Sequence, residues 1–286
     1  MVLLTCTCKL VRKNLTSNDH EDHLNYKKCS IFEIFKMYAY VFKLNLHKQN
    51  RDTSLVNQEY NLGLWARNVE DSELTSTVGN FGKTGQDGIF AVSNELVKLS
   101  YDDFEKNSQK ELISFLHDFE KNEIIELGCG MGGNLFSLYN SGFQNLSGCD
   151  ISPNAIIKLK NYNDRNNTKI DFFVHDLNKP FKTNLIKDKV VFTKSVLEQT
   201  KNTMQTVLRN ILDGEPKIVI HFEVDYDSEP LLVRKYFDSR GYQNNLVSEL
   251  KKLESEEKIS LVKIQKFKFS GTPVNRLSAI IWKPKQ

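Results

Sequence analysis

The chain has 286 residues, 40% of them apolar and 26% charged, with 39 basic against 36 acidic side chains for a net charge of +3. There is enough apolar material for a packed core and too little charge for wholesale disorder, and the balance of charge argues against a strongly basic nucleic-acid binder. No stretch approaches the ~18 uncharged apolar residues of a membrane helix, and the opening MVLLTCTCKLVRK, with its four-residue apolar run, does not read as a secretory signal. The isoelectric point is about 8.4 and the mean hydropathy −0.44. The five cysteines, at 6, 8, 29, 129 and 149, have no zinc-like spacing. Free thiols in a reducing cytoplasm are expected, and no metal. The composition also holds 31 Lys against 8 Arg, and 27 Asn, a bias that follows AT-rich codons.

At about 150 residues per domain the length allows one large domain with an appendage. We divide it into an N-terminal extension or lid, 1–91, and a catalytic domain, 92–286. In residues 30–46, Ile31, Ile34, Phe35, Tyr38 and Phe42 recur at helical spacing. They predict an amphipathic helix whose stripe packs on the main domain, with a lid or a peripheral membrane contact as the alternatives. Tyr60 and Trp65, an aromatic pair in a polar stretch, are expected to fold over the pocket, with core packing as the alternative. Residues 50–90 read as loop. Gly82-Lys83-Thr84 resembles the tail of a phosphate loop, but Thr77 stands where that pattern needs glycine, which excludes it.

From 92 the rhythm changes. Residues 93–119 are read as helix, with Leu96, Leu99, Leu112, Phe115, Leu116 and Phe119 facing inward. Short apolar runs at 123–127, 145–149, 170–174, 189–193 and 217–222 then alternate with helical patterns, which predicts a parallel sheet covered on both faces. Residues 259–269 and 277–283, joined through Gly271 and Pro273, predict a hairpin and hence an antiparallel strand at the sheet edge.

The segment Glu126-Leu127-Gly128-Cys129-Gly130-Met131-Gly132-Gly133-Asn134 follows the first of these strands and opens a helix. Glycines permit a tight turn and a close ligand, and the helix start offers unpaired N–H groups. Gly128, Gly130 and Gly133 also fit the dinucleotide fingerprint G-x-G-x-x-G, which leaves a nicotinamide-dependent oxidoreductase as a competing reading. Glu126 disfavours a pyrophosphate and favours a ligand bearing an amino group. Asp150, at the end of the next strand, suits both hydroxyls of an adenosyl ribose in either case.

ELGCGMGGN followed by GCDISPNAI closely resembles class I S-adenosylmethionine-dependent methyltransferases, over about residues 92–283. The resemblance implies a Rossmann-like seven-stranded, mostly parallel sheet with a C-terminal antiparallel hairpin. It implies S-adenosyl-L-methionine as cofactor. Glu126 would lie near the methionine amino end, with Gly128, Gly130 and Gly132 beneath. Asp150 would hold the ribose, Ile151 would pack on the adenine and Asp176 would receive the adenine amino group. Leu177 and Ser195 complete the expected cofactor set. Where family members often show Leu-Glu-His, this chain has Leu197-Glu198-Gln199, so a mechanism using that histidine as base does not transfer.

Methyl transfer is an in-line displacement, and a hydroxyl acceptor benefits from a base. His175, Ser195, Glu198, His221, Glu223 and Asp225 fall at the carboxyl ends of strands, where an acceptor binds. His221, with Glu223, is the expected catalytic pair. SVLEQT, HFEVDYD and GYQNNLVSEL are similar to methyltransferases of bacterial surface-polysaccharide clusters. The expected acceptor is therefore a sugar of lipopolysaccharide O-antigen or capsule, methylated on oxygen. The alternatives are a metabolite or natural product methylated on oxygen or nitrogen, and a non-catalytic, cofactor-binding regulatory protein. No nucleic-acid partner is expected.

Overall fold

The structure is a computed structural model and describes residues 26–44, 86–93, 95–182, 184–200 and 202–285. The expectations placed on Tyr60 and Trp65 lie outside these residues. In chain order the elements are β1 (Lys27–Lys28), α1 (Ile31–Leu44), β2 (Asp87–Val92), β3 (Glu95–Ser100), α2 (Tyr101–Leu116), β4 (Ile124–Leu127), α3 (Gly133–Asn140), β5 (Leu146–Asp150), α4 (Pro153–Asn166), β6 (Asp171–Val174), β7 (Val190–Lys194), α5 (Met204–Asp213), β8 (Ile218–Val224), α6 (Leu231–Arg240), α7 (Leu246–Ser255), β9 (Ile259–Thr272) and β10 (Asn275–Pro284).

The strands form a single sheet in the order β1-β3-β2-β9-β10-β8-β7-β4-β5-β6. β6, β5, β4, β7 and β8 are parallel neighbours, each joined to the next by a helix-containing crossover apart from the loop between β6 and β7. Side chains alternate across these strands. Ile124, Val190, Phe192, Ile220 and Phe222 enter one core with α2, α3, α4 and α6. Ile125, Leu127, Val191 and Val219 enter a second core with α5, α7 and Trp282. Burial on both faces explains why these runs read as continuous apolar stretches. The α5 residues Met204, Val207, Leu208 and Ile211 recur at the spacing of one helix face and are all buried.

β9 and β10 form the predicted hairpin, but β10 inserts beside β8 and β9 is not the edge. β2 pairs with β9, β3 with β2 and β1 with β3, all antiparallel. The expected seven-stranded, mostly parallel sheet is therefore a ten-stranded mixed one: the seven expected strands are present, extended by three from the N-terminal side. The helix read from residue 93 is corrected with it. Glu95–Ser100 is a strand, and Leu96 and Leu99, spaced by three, suggested a helical face. Val97 and Leu99 instead point together into a cluster with Phe90, Phe104 and Phe269, the period-two pattern of a half-buried strand. The helix starts only where Ser100 caps it, its hydroxyl accepting from Asp103 N at 3.0 Å.

α1 forms as predicted behind a capping box, with Ser30 N donating to Glu33 Oε2 at 2.8 Å and Glu33 N to Ser30 Oγ at 3.3 Å. Its burial differs from expectation. Val41 is buried, but Ile31, Phe35 and Phe42 of the predicted inward stripe are 87%, 69% and 60% exposed. α1 rests on α6. Among the described residues no helix is long and apolar enough to cross a membrane, and no cluster of His, Cys, Asp or Glu suits a metal.

Candidate active site

The site lies where the parallel strands end. Between β4 and α3 the chain turns through Gly128, Gly130 and Gly132, all with positive φ, at 74°, 52° and 76°. A Cβ on Gly128 would stand 2.2 Å from Val196 Cγ2 in the loop after β7, so both the backbone angle and the space require glycine here. Gly128→Ala is expected to destabilise the fold by about 2–4 kcal/mol, combining left-handed strain with overpacking. Urea unfolding measures this, and trimming Val196 to Ala in the same chain should recover the steric share only.

Asp150 fastens the loop. Its Oδ2 accepts from Gly130 N and its Oδ1 from Ser152 N, both at 2.9 Å. Gly128 N and Cys129 N donate to Cys149 O at 2.7 and 2.9 Å. Ser152 then caps α4, accepting from Ala155 N at 3.2 Å. One acidic residue thus sets the loop against the start of the next helix. Burial raises its pKa, and the two N–H donors pull the other way.

Glu126 is buried under the loop. Its Oε1 accepts from Asn134 Nδ2 at 2.6 Å, while Oε2 has no partner. Desolvation pushes its pKa up to about 8, against the pull of Asn134 and Lys194. An orphaned carboxylate oxygen in a dry site is costly unless a donor arrives. Lys194 Nζ donates to Asn134 Oδ1 at 3.2 Å. Sequence reasoning missed both Asn134 and Lys194. The available signal was a lysine closing the otherwise apolar strand run Val190–Thr193.

Asp176 follows β6 and makes a tight turn, its Oδ1 accepting from Asn178 N and Nδ2, both at 3.0 Å. His175 N donates to Asp150 O at 2.9 Å, which ties the β6 turn to Asp150. Leu177 belongs to the second core, and its carbonyl accepts from Asn210 Nδ2 at 2.9 Å. Ile151 continues from Asp150 and is half-buried. Ser195 turns the chain after β7 with φ of 54°, its N–H donating to Phe222 O at 3.1 Å. Glu126, Asp150, Asp176 and Ser195 therefore ring the ends of β4, β5, β6 and β7.

The expected catalytic pair is placed differently. His221 is completely buried between β7 and β10. Its Nε2 accepts from Trp282 Nε1 at 2.9 Å and its Nδ1 lies 3.0 Å from Thr193 Oγ1. A tryptophan N–H only donates, so the proton sits on Nδ1 and is directed at Thr193. Burial lowers its pKa to about 3. Both ring nitrogens are committed to partners inside the sheet. Glu223 is also buried, its Oε1 accepting from Val196 N and Leu197 N at 3.0 and 3.1 Å. Desolvation raises its pKa to about 7, and its place is to hold the loop after β7. We do not carry the base role forward for either.

Residues 125–213 match the family model described as a methyltransferase domain. Among solved structures, the chain is similar to magnesium protoporphyrin IX methyltransferase from Synechocystis PCC 6803 with bound S-adenosylhomocysteine, at 14% identity and a TM-score of 0.54, covering 82% of this chain and 100% of that one. It is also similar to the PH0226 protein from Pyrococcus horikoshii OT3, at 18% identity and a TM-score of 0.46, covering 64% and 94%. No curated protein matches the sequence. The domain and the site define the class: the chain is an S-adenosylmethionine-dependent methyltransferase. The residues present fit that cofactor. Glu126 Oε2 is a buried acceptor with no donor, suited to an α-ammonium, and Asp150 has accepting capacity left for ribose hydroxyls beside its two N–H bonds.

Proposed function

We propose that this methyltransferase acts on a hydroxyl of a saccharide, in the assembly of a surface polysaccharide such as O-antigen or capsule. The reading is carried by a cluster of buried polar side chains beyond the carboxyl ends of β7 and β8 and the start of β10. Glu198 Oε2 accepts from Asn275 Nδ2 at 3.1 Å. Glu229 Oε1 accepts from Lys266 Nζ at 2.8 Å, and its Oε2 lies 3.8 Å from Arg276 Nε, which instead donates to Pro273 O at 3.0 Å. The β8–β10 register brings Asp225, just past Val224, alongside Arg276. Asp225 Oδ1, Glu229 Oε2 and Asn275 Oδ1 are buried acceptors without a donor.

Three unfilled acceptors beside a buried cation suit a ligand rich in hydroxyl groups, because each hydroxyl both donates and accepts. An apolar aromatic acceptor would leave them unpaired at about 1–3 kcal/mol each. When bound, S-adenosylmethionine supplies a methyl carbon made electrophilic by its sulfonium. Asn275 and Glu229 would hold the sugar, and Asp225 would accept the proton of the reacting hydroxyl as the oxygen–carbon bond forms and the methyl–sulfur bond breaks, the electron pair leaving with the sulfur of S-adenosylhomocysteine.

The test is radiolabelled methyl transfer from S-adenosylmethionine to polysaccharide extracted from a strain lacking the gene. Incorporation into base-stable O-methyl sugar is expected, with Asp225→Asn slower by about a hundredfold, the usual scale of a lost general base. A deletion strain whose polysaccharide retains every O-methyl group overturns the reading.

A further inference from the structure

Glu126 and Lys194 lie on one face of the sheet. Glu126 pairs across β4 and β7 with Phe192, and side chains alternate along a strand, so Lys194 projects on the side of Phe192 and Glu126. That face is covered by α2 and α3. Asn134, in the first turn of α3, stands between the two charges. Only one orientation of its amide serves both neighbours, since a lysine only donates and a carboxylate only accepts. The remaining acids facing Lys194 are Glu105 and Glu111 of α2. Glu111 is engaged by Lys268 N and Phe269 N at 2.7 and 2.9 Å, and Glu105 accepts from Gln109 Nε2 at 3.2 Å. Asp150 is the other acid near Glu126, and it is held by the glycine loop.

An acid and a base thus lie in one buried cluster, kept apart by a single amide and each with capacity to spare. Glu126 has a whole oxygen unpartnered, and an ammonium has three N–H donors of which Asn134 takes one. An acid and a base on either side of one amide complement the ammonium and carboxylate of an amino-acid zwitterion. We propose that Lys194 recognises the α-carboxylate at the methionine end of the cofactor, while Glu126 faces its α-ammonium and Asn134 sets the distance between them. This rests on the S-adenosylmethionine reading of the site. Burial holds Glu126 and Lys194 towards their neutral forms, and the opposite charges of the zwitterion draw each towards its ionised form.

The experiment is calorimetric titration of the full chain with two probes. S-adenosylhomocysteine carries the amino-acid end, and 5′-methylthioadenosine lacks it. Wild-type protein is expected to bind both, the first more tightly. Lys194→Met should weaken S-adenosylhomocysteine by about a hundredfold, the scale of truncating one partner of a buried charge contact, and leave methylthioadenosine unchanged. Lys194→Arg, which keeps the charge, should retain most of the preference and covers the case in which the methionine variant does not fold. Equal loss for both probes, or unchanged S-adenosylhomocysteine affinity with slowed turnover, overturns the assignment; the second result would place Lys194 at the acceptor. Failure of the wild-type chain to bind either probe overturns the cofactor reading itself, and this proposal with it.

Discussion

Asp150→Ala is expected to abolish cofactor binding, with S-adenosylhomocysteine affinity falling by at least a hundredfold in calorimetry. Two losses combine. Gly130 N and Ser152 N both donate to this carboxylate, and without it two N–H groups at the site lose their acceptor, at about 1–3 kcal/mol each. The loop then drifts from the geometry in which its backbone meets the ligand. The carboxylate's remaining lone pairs are also lost to the ribose, where hydrogen bonds to a charged group contribute about 1.5–3 kcal/mol each. Asp150→Asn keeps an acceptor oxygen but puts a donor where a second N–H points, so it should fall between wild type and alanine. Unchanged affinity in a folded alanine variant would remove Asp150 from the site.

A folded His221→Asn variant is expected to keep turnover within about threefold and to lose acid sensitivity. Were His221 the base, its removal would cost about 10²–10⁴ in rate. In the fold it is a neutral core residue accepting from Trp282 and facing Thr193, so its loss is paid in stability, about 2–4 kcal/mol near pH 7.5 from cavity and unpaired groups. The pH dependence carries a definite sign. The imidazole pKa is lowered from 6.5 to about 3 on folding, so between those values the unfolded chain binds the extra proton. The contribution is full above pH 6.5 and lost as pH falls towards 3, at up to about 1.4 kcal/mol per pH unit. Glu126 and Glu223 act in the opposite direction. Their pKa values rise from 4.5 to about 8 and about 7, so the stability they contribute at low pH is lost as pH rises through that window. Urea unfolding of wild type and variant at pH 7.5 and 5 isolates the histidine, because the glutamates are common to both. A variant that is equally acid-sensitive, or whose turnover collapses while folded, would contradict this account.

Much of the fold was legible because its signals are local. Five apolar runs between helical patterns imply a parallel sheet, and each falls within two residues of β4, β5, β6, β7 or β8. Glu126, the loop glycines and Asp150 were legible for a similar reason: a strand, a tight turn and a helix start leave few residue types that fit. The errors arose where a residue's environment is supplied by distant chain. Leu96 and Leu99 suit a helix by spacing, but Phe269, some 170 residues away, makes Val97 and Leu99 a strand face. The α1 stripe has helical periodicity, yet periodicity does not say which surface, if any, receives it. Lys194 looked like the polar end of a strand, and only the register of β7 against β4 brings it beside Glu126.

His221 marks the division most sharply. A histidine at the end of a strand, followed by alternate acids, is compatible with a base facing a ligand or with a core hydrogen bond, and the two differ only in what lies across the sheet. By itself the sequence determined a glycine turn flanked by Glu126 and Asp150, suited to an adenosyl ligand, and the resemblance of ELGCGMGGN and GCDISPNAI to a methyltransferase family implied the class of chemistry. Tertiary structure decided which polar groups are spent on the fold and which remain for ligands. β10 brings Trp282 to His221, while α3 brings Asn134 to Glu126 and leaves one carboxylate oxygen unpaired. Hydrogen-bond satisfaction inside a dry core is settled by neighbours far apart along the chain, and no local pattern records them.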